Sequence, residues 1–390
     1  MTASGHSGVP FLDLTAQSAE IRDEVLPAWE LTLDSVGFIG GPEVDAFERE
    51  YAEYIGVQHV IGVGNGTDAI ELSLRALGVG AGDEVVLPAN TFVATAEAVW
   101  RTGARPVLVD VDPVQLLIDP ARVEAAITER TAAIIPVHLY GQVAPVEAIE
   151  ALPDVIARGI PIVEDAAQSQ GAHSLRGRAG ALGRVAATSF YPGKNLGAAG
   201  DGGAVLTDDP ELASVVRTLG AHGSTTKYVH VRPGLNSRLD AVQAIVLRAK
   251  LERLEEWNAA RRAAADTYAE LLAPLADAGL IELPRSRAGN TDVWHLYVVQ
   301  ADDRDRVVAE LNAAGVGAAI HYPTPVHLTE AFSYLGYGRG TFPVAEAAAS
   351  RILSLPMFPH LTRAQQERVA EALAVAVRAP VPLGLVGEAG

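Results

Sequence analysis

The fold is indicated first by residues 59–77, HVIGVGNGTDAIELSLRAL, which run from an apolar strand through a glycine-rich turn into a helix. Residues 59–63 are mostly β-branched or apolar, as in a strand. Residues 68–77 repeat their apolar side chains with the spacing of an amphipathic helix. A strand followed directly by a helix is the repeating unit of α/β proteins.

The same alternation continues to about residue 210. Further apolar strands are predicted at residues 84–87, 107–110, 133–137, 161–165, 187–190 and 203–206. A helix is predicted at residues 92–101. Because apolar strands spaced by helices are typical of sheets covered on both faces, we predict an α/β domain with a mostly parallel sheet.

The pattern changes after this domain. Residues 243–275 are helical in character and contain no glycine or proline before Pro274, which predicts one long helix. A strand at residues 295–299 and helices at residues 304–314 and 362–377 then predict a smaller α+β domain. We place a large domain at residues 1–250 and a smaller one at residues 251–390, with a loose tail at residues 380–390.

Composition excludes several classes of function. The chain has 390 residues, a length typical of two domains, and it contains no cysteine. Disulfides, zinc-thiolate sites and thiol nucleophiles are therefore excluded. The net charge of -18 disfavours nucleic acid as a partner.

The sequence also predicts a cytoplasmic location. Residues 1–10 show neither a basic segment nor an apolar run typical of a signal peptide. No stretch approaches the roughly 18 consecutive apolar residues of a membrane helix. We expect a soluble protein without a membrane partner.

The turn at residues 62–67 partly matches the glycine fingerprint of dinucleotide-binding folds. Thr67 stands where the last glycine is required, which disfavours a nicotinamide cofactor. Gly66 still allows a ligand to approach, and the free N–H groups at the start of the helix attract anions. The motif alone is equally compatible with a phosphate-binding turn and with a plain strand-to-helix turn. If phosphate binds, Asp68 must point away from it.

Asp165 ends the strand at residues 161–165, where ligands of open α/β sheets bind. Taken alone, it is better interpreted as a cap of the next helix. A partner would change that interpretation, and Lys194 is the candidate because it lies in a Gly/Pro-rich loop after another predicted strand. Buried lysine can lose its proton and form a Schiff base, which arginine cannot do.

Lysine is scarce in this chain. Of the 30 basic residues, the lysines are Lys194, Lys227 and Lys250. An aldehyde cofactor on Lys194 would need an acid at its ring nitrogen, a phosphate cradle and an aromatic face. The candidates for these roles are Asp165, then Gly66, Thr67 and Ser189, and finally Phe92. Lys250 lies near Glu252 and Glu255 in the predicted long helix, and we interpret it as a solvated charge.

Three motifs carry a resemblance to a known family. They are EDAAQ at residues 164–168, SFYPGKNLG at residues 189–197 and NSRLD at residues 236–240. They resemble the DegT/DnrJ/StrS sugar-nucleotide aminotransferases, which are pyridoxal-phosphate enzymes of fold type I. The resemblance covers residues 10–380 and implies an aspartate-aminotransferase-like fold, with an α/β large domain and a smaller α+β C-terminal domain.

The resemblance implies a cofactor and its contacts. Pyridoxal 5′-phosphate would be bound covalently to Lys194, with Asp165 at its pyridinium nitrogen. The other positions that match cofactor contacts are Gly66, Thr67, Phe92, Gln168, Ser189 and Asn236. Asn236 matches a phosphate contact from the neighbouring subunit, which implies a homodimer with shared active sites. Some relatives carry histidine at the lysine position and act as dehydratases, so Lys194 favours transamination.

Substrate contacts are also implied by the resemblance. Residues 223–230, GSTTKYVH, would by themselves be interpreted as a solvated turn. Similar loops in relatives that aminate the sugar 3-position bring the lysine near the substrate. The implied substrate contacts are Tyr191, Lys227, Tyr228, Arg238 and His327. His321 and His327 are weak metal ligands at this spacing, so we expect no metal site and mainly loop packing, with His327 the better substrate candidate.

We therefore expect an aminotransferase that converts a nucleotide-linked, dTDP-type 3-keto-6-deoxyhexose into the 3-amino sugar with L-glutamate as donor. One alternative is a 4-keto sugar nucleotide or a keto-cyclitol as acceptor. Another is a pyridoxal-phosphate-binding sensor or regulator that turns nothing over. A nicotinamide oxidoreductase is disfavoured by Thr67.

Overall fold

The computed structural model describes residues 8–378 of the chain. The predicted tail at residues 380–390 lies outside the described residues, as do the first seven residues of the segment considered for a signal peptide. Within the described part, no helix has both the length and the apolar character needed to cross a membrane.

The β-strands of the described residues follow one another along the chain between residues 59 and 355. They are His59–Val63 (β1), Glu84–Pro88 (β2), Arg105–Val109 (β3), Thr131–Ile134 (β4), Val163–Asp165 (β5), His173–Ser174 (β6), Gly177–Arg178 (β7), Val185–Ser189 (β8), Gly203–Thr207 (β9), Ser224–Thr226 (β10), Val229–His230 (β11), Ile281–Glu282 (β12), Tyr297–Ala301 (β13) and Ile352–Leu355 (β14).

The α-helices of the described residues lie between residues 15 and 378. They are Thr15–Glu20 (α1), Arg22–Ser35 (α2), Pro42–Ile55 (α3), Gly66–Ala76 (α4), Val93–Thr102 (α5), Pro120–Ala126 (α6), Val146–Glu150 (α7), Pro153–Arg158 (α8), Pro210–Gly220 (α9), Ala241–Leu251 (α10), Leu254–Asp277 (α11), Arg304–Ala313 (α12), Pro343–Arg351 (α13) and Arg363–Arg378 (α14). Short 3₁₀ turns occupy Leu139–Gly141, Val326–Leu328 and Glu330–Leu335.

The main sheet has the strand order β1-β9-β8-β5-β4-β2-β3. Two sets of paired strands are joined by parallel bridges from Ile134 to Ile162 and from Val137 to Asp165. β9 is antiparallel to both of its neighbours, and the other pairings are parallel. This mixed sheet of mostly parallel strands confirms the predicted α/β fold.

The strand directions bring distant sequence motifs together. β1, β2, β5 and β8 point the same way, so the turns that follow them meet at one edge of the sheet. The Asn65 side chain caps α4 at this edge by accepting the N–H of Asp68 at 2.9 Å. α4 then buries Ile70, Leu72 and Leu74 against the sheet.

The prediction of one helix over residues 243–275 is wrong. A turn at Glu252 and Arg253 separates α10 from α11, and Pro274 lies inside α11 and does not end it. No glycine or proline marks the break, so its cause is tertiary packing. α10 packs on α2 and α3, whereas α11 buries Tyr268 and Leu272 in the C-terminal core.

The C-terminal region is built on β12, β13 and β14, an antiparallel sheet in contact with α11, α12 and α13, and α14 packs on α11 and α12. The predicted strand at residues 295–299 is found two residues later, and β12 and β14 were missed. The start of the described chain joins this region, because Val9 donates to the Gly315 carbonyl at 2.8 Å and accepts from Gly317 at 2.8 Å. The domain boundary at residue 250 stays a prediction.

Candidate active site

A cavity of about 690 Å³ opens at the edge where the strand ends meet. Eight of the residues predicted from the sequence line it: Gly66, Thr67, Phe92, Asp165, Gln168, Ser189, Tyr191 and Lys194. They come from four separate stretches of sequence. The sheet therefore assembles in space what the motifs indicated along the chain.

Lys194 and Asp165 form the floor of this cavity. Lys194 is partly buried, and desolvation lowers the pKa of its amine to about 8, against the opposing effect of the Asp165 charge. Asp165 Oδ2 accepts the Thr95 hydroxyl at 2.8 Å, and Oδ1 accepts the Ala167 N–H at 3.2 Å. The residues after Asp165 form turns, so its interpretation as a helix cap is wrong.

The turn after β1 is packed so closely that it requires glycine. A Cβ on Gly66 would lie 2.6 Å from Ser189 Cβ, inside the van der Waals limit. The first N–H groups of α4 lie beside this contact, and Thr67 and Ser189 add hydroxyls to the cavity wall. Asp68 is held by Arg101 at 3.0 Å and by the Ser237 hydroxyl at 2.7 Å. This arrangement fits a phosphate group.

The cavity also has an aromatic wall. The Phe92 side chain is 50% exposed although it lines the cavity, and its ring centroid lies 5.2 Å from that of Tyr322. An apolar ring left open inside a cavity is suited to cover a planar ring. Together with the amine, the carboxylate and the phosphate turn, it fits pyridoxal phosphate.

Gln168 connects this wall to the backbone. Its Oε1 accepts the N–H of Tyr140 at 2.7 Å, and its Nε2 donates to the Tyr322 hydroxyl at 3.1 Å. These two hydrogen bonds fix the orientation of the amide, and the side chain lines the cavity.

The structure brings in residues that the sequence reasoning missed. Thr95 supports Asp165, and the cavity is also lined by His295 and Tyr322, and by His321, for which mainly loop packing was expected. Desolvation and the Lys194 charge lower the pKa of His321 to about 4, and the same causes lower the pKa of His295 well below its ordinary value. Both imidazoles are therefore neutral near pH 7. Thr95 lies four residues after Thr91, which is the spacing of one helical face. This spacing was the signal in the sequence that could have indicated the threonines.

His327 is not in the cavity, which corrects its assignment as a substrate contact. It is buried, its Nε2 lies 3.0 Å from Glu346 Oε1, and its ring packs edge-on against Phe342. His321, and not His327, lines the cavity where a histidine contact to the substrate was expected. The Phe11 ring stacks on His321 at 5.4 Å, and Phe11 and Leu12 line the same wall.

The other predicted substrate contacts lie on an exposed hairpin and the segment after it. β10 and β11 carry Lys227 and Tyr228 at their turn, with the Lys227 amine 5.3 Å from the Tyr228 ring centroid. Arg238 donates to Asn236 Oδ1 at 3.0 Å. These four residues do not line the cavity of their own chain. A contact with a neighbouring subunit's site stays a prediction.

Lys250 is buried, which corrects its interpretation as a solvated charge. It is 5% exposed, on the face of α10 that carries Val246 and Leu247, and its Nζ donates to the Gly197 carbonyl at 2.7 Å. Desolvation lowers its pKa to about 8, and it has no ion pair within residues 8–378.

The loop that carries Lys194 is anchored from behind by both helices of the broken pair. Lys250 of α10 holds Gly197, and Asn258 of α11 accepts the Asn195 side-chain amide at 2.9 Å. Asn195 Oδ1 lies 3.1 Å from His295 Nδ1. The position of Lys194 therefore depends on α10, α11 and the segment just before β13.

The described part of the chain contains no arrangement of side chains suited to a metal centre. No group of three or more histidine, aspartate or glutamate side chains there has an arrangement that would hold a metal ion.

Comparison with known proteins gives a family match over most of the chain. The profile of the DegT/DnrJ/EryC1/StrS aminotransferase family matches residues 19–374. The chain is 50% identical to the erythromycin biosynthesis sensory transduction protein EryC1 of Saccharopolyspora erythraea, over 93% of this chain and 97% of that protein. It is 48% identical to the dTDP-3-amino-3,4,6-trideoxy-alpha-D-glucose transaminase of Streptomyces venezuelae, over 94% and 95%.

A solved structure extends the comparison to three dimensions. The crystal structure of NtdA from Bacillus subtilis, with bound cofactor PMP, superposes with a TM-score of 0.89 at 33% sequence identity. The match covers 97% of this chain and 87% of that one. The fold of this chain therefore has a counterpart in a solved structure that holds PMP.

Proposed function

The chain belongs to the DegT/DnrJ/EryC1/StrS aminotransferase family, and we propose that it aminates the 3-keto group of a dTDP-linked 6-deoxyhexose with L-glutamate as donor. The observation that carries the proposal is the pairing of a desolvated Lys194 with Asp165 in one cavity, beside a glycine-dependent phosphate turn. The 48% identity to a dTDP-3-amino-sugar transaminase supports the choice of acceptor.

Pyridoxal phosphate would be held by residues that line the cavity. Lys194 would bind it covalently, Asp165 would face the ring nitrogen, Phe92 would cover the ring, and the turn at Gly66 and Thr67 with Ser189 would take the phosphate. When bound, the cofactor supplies an electron sink that makes the Cα–H bond of the amino donor acidic and carries the amino group.

The chain's own residues supply the proton transfer. Because burial lowers the pKa of Lys194 to about 8, a useful fraction of its amine is neutral near pH 7, and Nζ can take the Cα proton of the donor. The Thr95 hydroxyl holds Asp165 so that its negative charge stays at the cavity floor. His295 and His321 are uncharged and offer hydrogen bonds to hydroxyl groups without repelling the ammonium group of L-glutamate.

Recognition of the acceptor would use Tyr191 in the cavity and residues of a neighbouring subunit. Lys227, Tyr228 and Arg238 would approach from the partner's hairpin, and Asn236 would reach the cofactor phosphate. Cationic side chains would offset the net charge of -18 where a diphosphate binds. This arrangement requires a homodimer.

The first experiment is the absorbance spectrum of the protein loaded with pyridoxal phosphate, before and after L-glutamate. We expect a visible cofactor band that glutamate bleaches. The bleached enzyme is then offered dTDP-linked 3-keto and 4-keto sugars side by side, and return of the band with the 3-keto sugar supports the proposal. Return of the band with the 4-keto sugar only would replace it by 4-amination.

A second candidate function is a regulator that binds the cofactor without turnover. One observation favours it, the name of the 50%-identical EryC1 as a sensory transduction protein. It predicts a cofactor band that L-glutamate does not change. The same spectrum therefore separates the two functions.

A further inference from the structure

His295 lines the active-site cavity, and one side of its ring is held by the protein. Its Nδ1 lies 3.1 Å from Oδ1 of Asn195, the residue that directly follows Lys194 in the chain. Among residues 8–378, no group forms a hydrogen bond with Nε2 of His295, and Nε2 is not sealed in the core. A hydrogen-bond donor can therefore reach Nε2 from the cavity.

The orientation of the Asn195 amide decides which ring nitrogen of His295 carries the proton. Nδ2 of Asn195 lies 3.0 Å from the carbonyl oxygen of Val293, which can only accept a hydrogen bond. The amide nitrogen must therefore be on that side, and Oδ1 must face His295. Because Oδ1 can also only accept, Nδ1 of His295 is the donor in the bond between them.

A second asparagine supports this orientation. Asn195 Nδ2 also donates to Asn258 Oδ1 at 2.9 Å, and Asn258 Nδ2 donates to the Gln170 carbonyl at 2.9 Å. Both asparagines are buried, with exposed fractions of 2% and 1%. Turning either amide round would place its oxygen against a carbonyl oxygen in the core, which is unfavourable because buried polar groups need partners.

These bonds leave His295 with an unprotonated nitrogen at the cavity. Burial and the Lys194 charge lower the pKa of His295 well below its ordinary value, so the ring is neutral and carries a single N–H proton. That proton is on Nδ1, so Nε2 presents a lone pair and can only accept. An ammonium or hydroxyl group can donate to it, whereas an ionised carboxylate cannot.

Lys194 is the cationic donor that suits Nε2. The cations that line the cavity among the described residues are Lys194 and Arg101. Arg101 is already held by Asp68 at 3.0 Å and by Glu71 at 2.7 Å. Lys194 Nζ has no hydrogen-bond partner within residues 8–378, and its charge acts on the His295 ring.

We propose that His295 is a catalytic residue of amino transfer, and that its Nε2 accepts a hydrogen bond from Lys194 Nζ while Lys194 carries the proton of the amino donor. When Nζ takes the Cα proton, the new N–H bond forms from the Nζ lone pair, and the electrons of the broken C–H bond pass to the cofactor. The ammonium group then donates to Nε2, and the proton stays on Lys194 because His295 is the weaker base. The proposal rests on the proposed function, since only amino transfer uses Lys194 as a proton carrier.

Two substitutions separate the roles of the two ring nitrogens. In His295→Asn the amide nitrogen can take the position of Nδ1, so the bond to Asn195 is kept and the acceptor in the cavity is lost. In His295→Gln an amide oxygen can take the position of Nε2. We expect His295→Asn to slow the glutamate half-reaction about tenfold and His295→Gln to stay within about threefold of the wild type, as measured by stopped-flow absorbance of the loaded protein.

Two further measurements use the cofactor-free protein. In nitrogen NMR spectra of histidine-labelled protein at pH 7, the signals that disappear in His295→Asn should be those of a neutral ring with its proton on Nδ1. Acetic anhydride then probes Lys194, with modification of its peptide followed against pH by mass spectrometry. In His295→Asn the amine should become reactive about one pH unit lower than in the wild type, because the ammonium group has lost an acceptor.

A proton on Nε2 in the NMR spectrum would overturn the proposal, as would equal half-reaction rates in the wild type and His295→Asn. Equal loss in both variants, with the pH dependence of Lys194 modification unchanged, would also overturn it, because the ring would then only pack the loop. A wild-type spectrum that does not respond to L-glutamate would instead remove the proposed function. The NMR spectrum and the Lys194 pH profile would still show in that case whether Nε2 binds the amine.

Discussion

The floor of the active-site cavity and the β10–β11 hairpin differ in how completely one chain builds them. At the floor, Asp165 is buried and hydrogen-bonded, and the Lys194 loop is anchored from behind by Lys250 and Asn258. On the hairpin, Tyr228 is 82% exposed and contacts little besides Lys227. One chain thus holds in place the residues proposed for the cofactor, while the hairpin residues proposed for the acceptor are left exposed.

The largest expected effect comes from removing the amine at the floor. Lys194→Ala should lower the rate of the glutamate half-reaction by about 1,000-fold or more, since both the covalent link and the proton carrier are lost. Stopped-flow absorbance of the loaded protein measures it. Borohydride reduction followed by mass spectrometry should show cofactor on the Lys194 peptide of the wild type. Cofactor trapped on another lysine would contradict the assignment.

Replacing the carboxylate should have the next largest effect. Asp165→Asn keeps the shape but removes the charge, and we expect the half-reaction to slow roughly 100-fold. Because the Asp165 charge raises the pKa of Lys194, the variant should capture pyridoxal phosphate at lower pH than the wild type, whose amine has a pKa of about 8. The rate of capture against pH measures this shift.

Thr95→Val is the control for this variant, since it removes only the hydroxyl that donates to Asp165. It should slow the half-reaction by a smaller factor than Asp165→Asn. An equal loss in both variants would mean that the orientation of Asp165, and not its charge, matters.

A substitution on the hairpin should weaken binding of the acceptor and leave the glutamate half-reaction unchanged. Lys227→Ala should raise the KM for the nucleotide-linked sugar about tenfold, because a charge-assisted hydrogen bond to phosphate is lost. His230→Ala, in the same hairpin, is the matched control and should raise it less. If Lys227→Ala lowers the rate of the glutamate half-reaction instead, the hairpin belongs with the floor and the comparison fails.

The smallest effect concerns stability and comes from the buried Lys250. Its folded-state pKa is about 8, below the ordinary value of 10.5, so between pH 8 and 9 the unfolded chain holds a proton that the folded chain releases. In this window the wild type should therefore gain about 1 kcal/mol of stability per pH unit over Lys250→Met, as measured by urea unfolding of the cofactor-free protein. The window ends at pH 9 because burial raises the pKa of Tyr51, Tyr140 and Tyr268, which acts in the opposite direction once tyrosines of the unfolded chain ionise. Equal slopes would show that Lys250 stays protonated.

Site residues could be predicted from the sequence where a motif lies at the end of a predicted strand. Asp165 and Lys194 follow strands in short segments, and the parallel sheet brings such ends together, so both could be placed in one site. His327 shows the limit of this reasoning, because His321 lies six residues before it in the same short segment and no local pattern says which of the two reaches the site. Packing against Phe342 and Glu346 decided between them.

Other features depend on contacts that no local pattern encodes. The break between α10 and α11 has no glycine or proline, and Lys250 looks like any surface lysine near glutamates. Only the meeting of α10 with the Lys194 loop shows why lysine is used there. A single amine satisfies one buried carbonyl, whereas arginine would bring several donors that need partners.

The N-terminal segment that pairs with Gly315 and Gly317 also makes a wall of the active-site cavity through Phe11 and Leu12. Protease nicking just after Leu12 would open this wall and uncover His321 without touching Lys194 or Asp165. A preparation clipped in this way would still bind cofactor while losing turnover. Intact mass should therefore be checked before any weak activity is attributed to the wrong substrate.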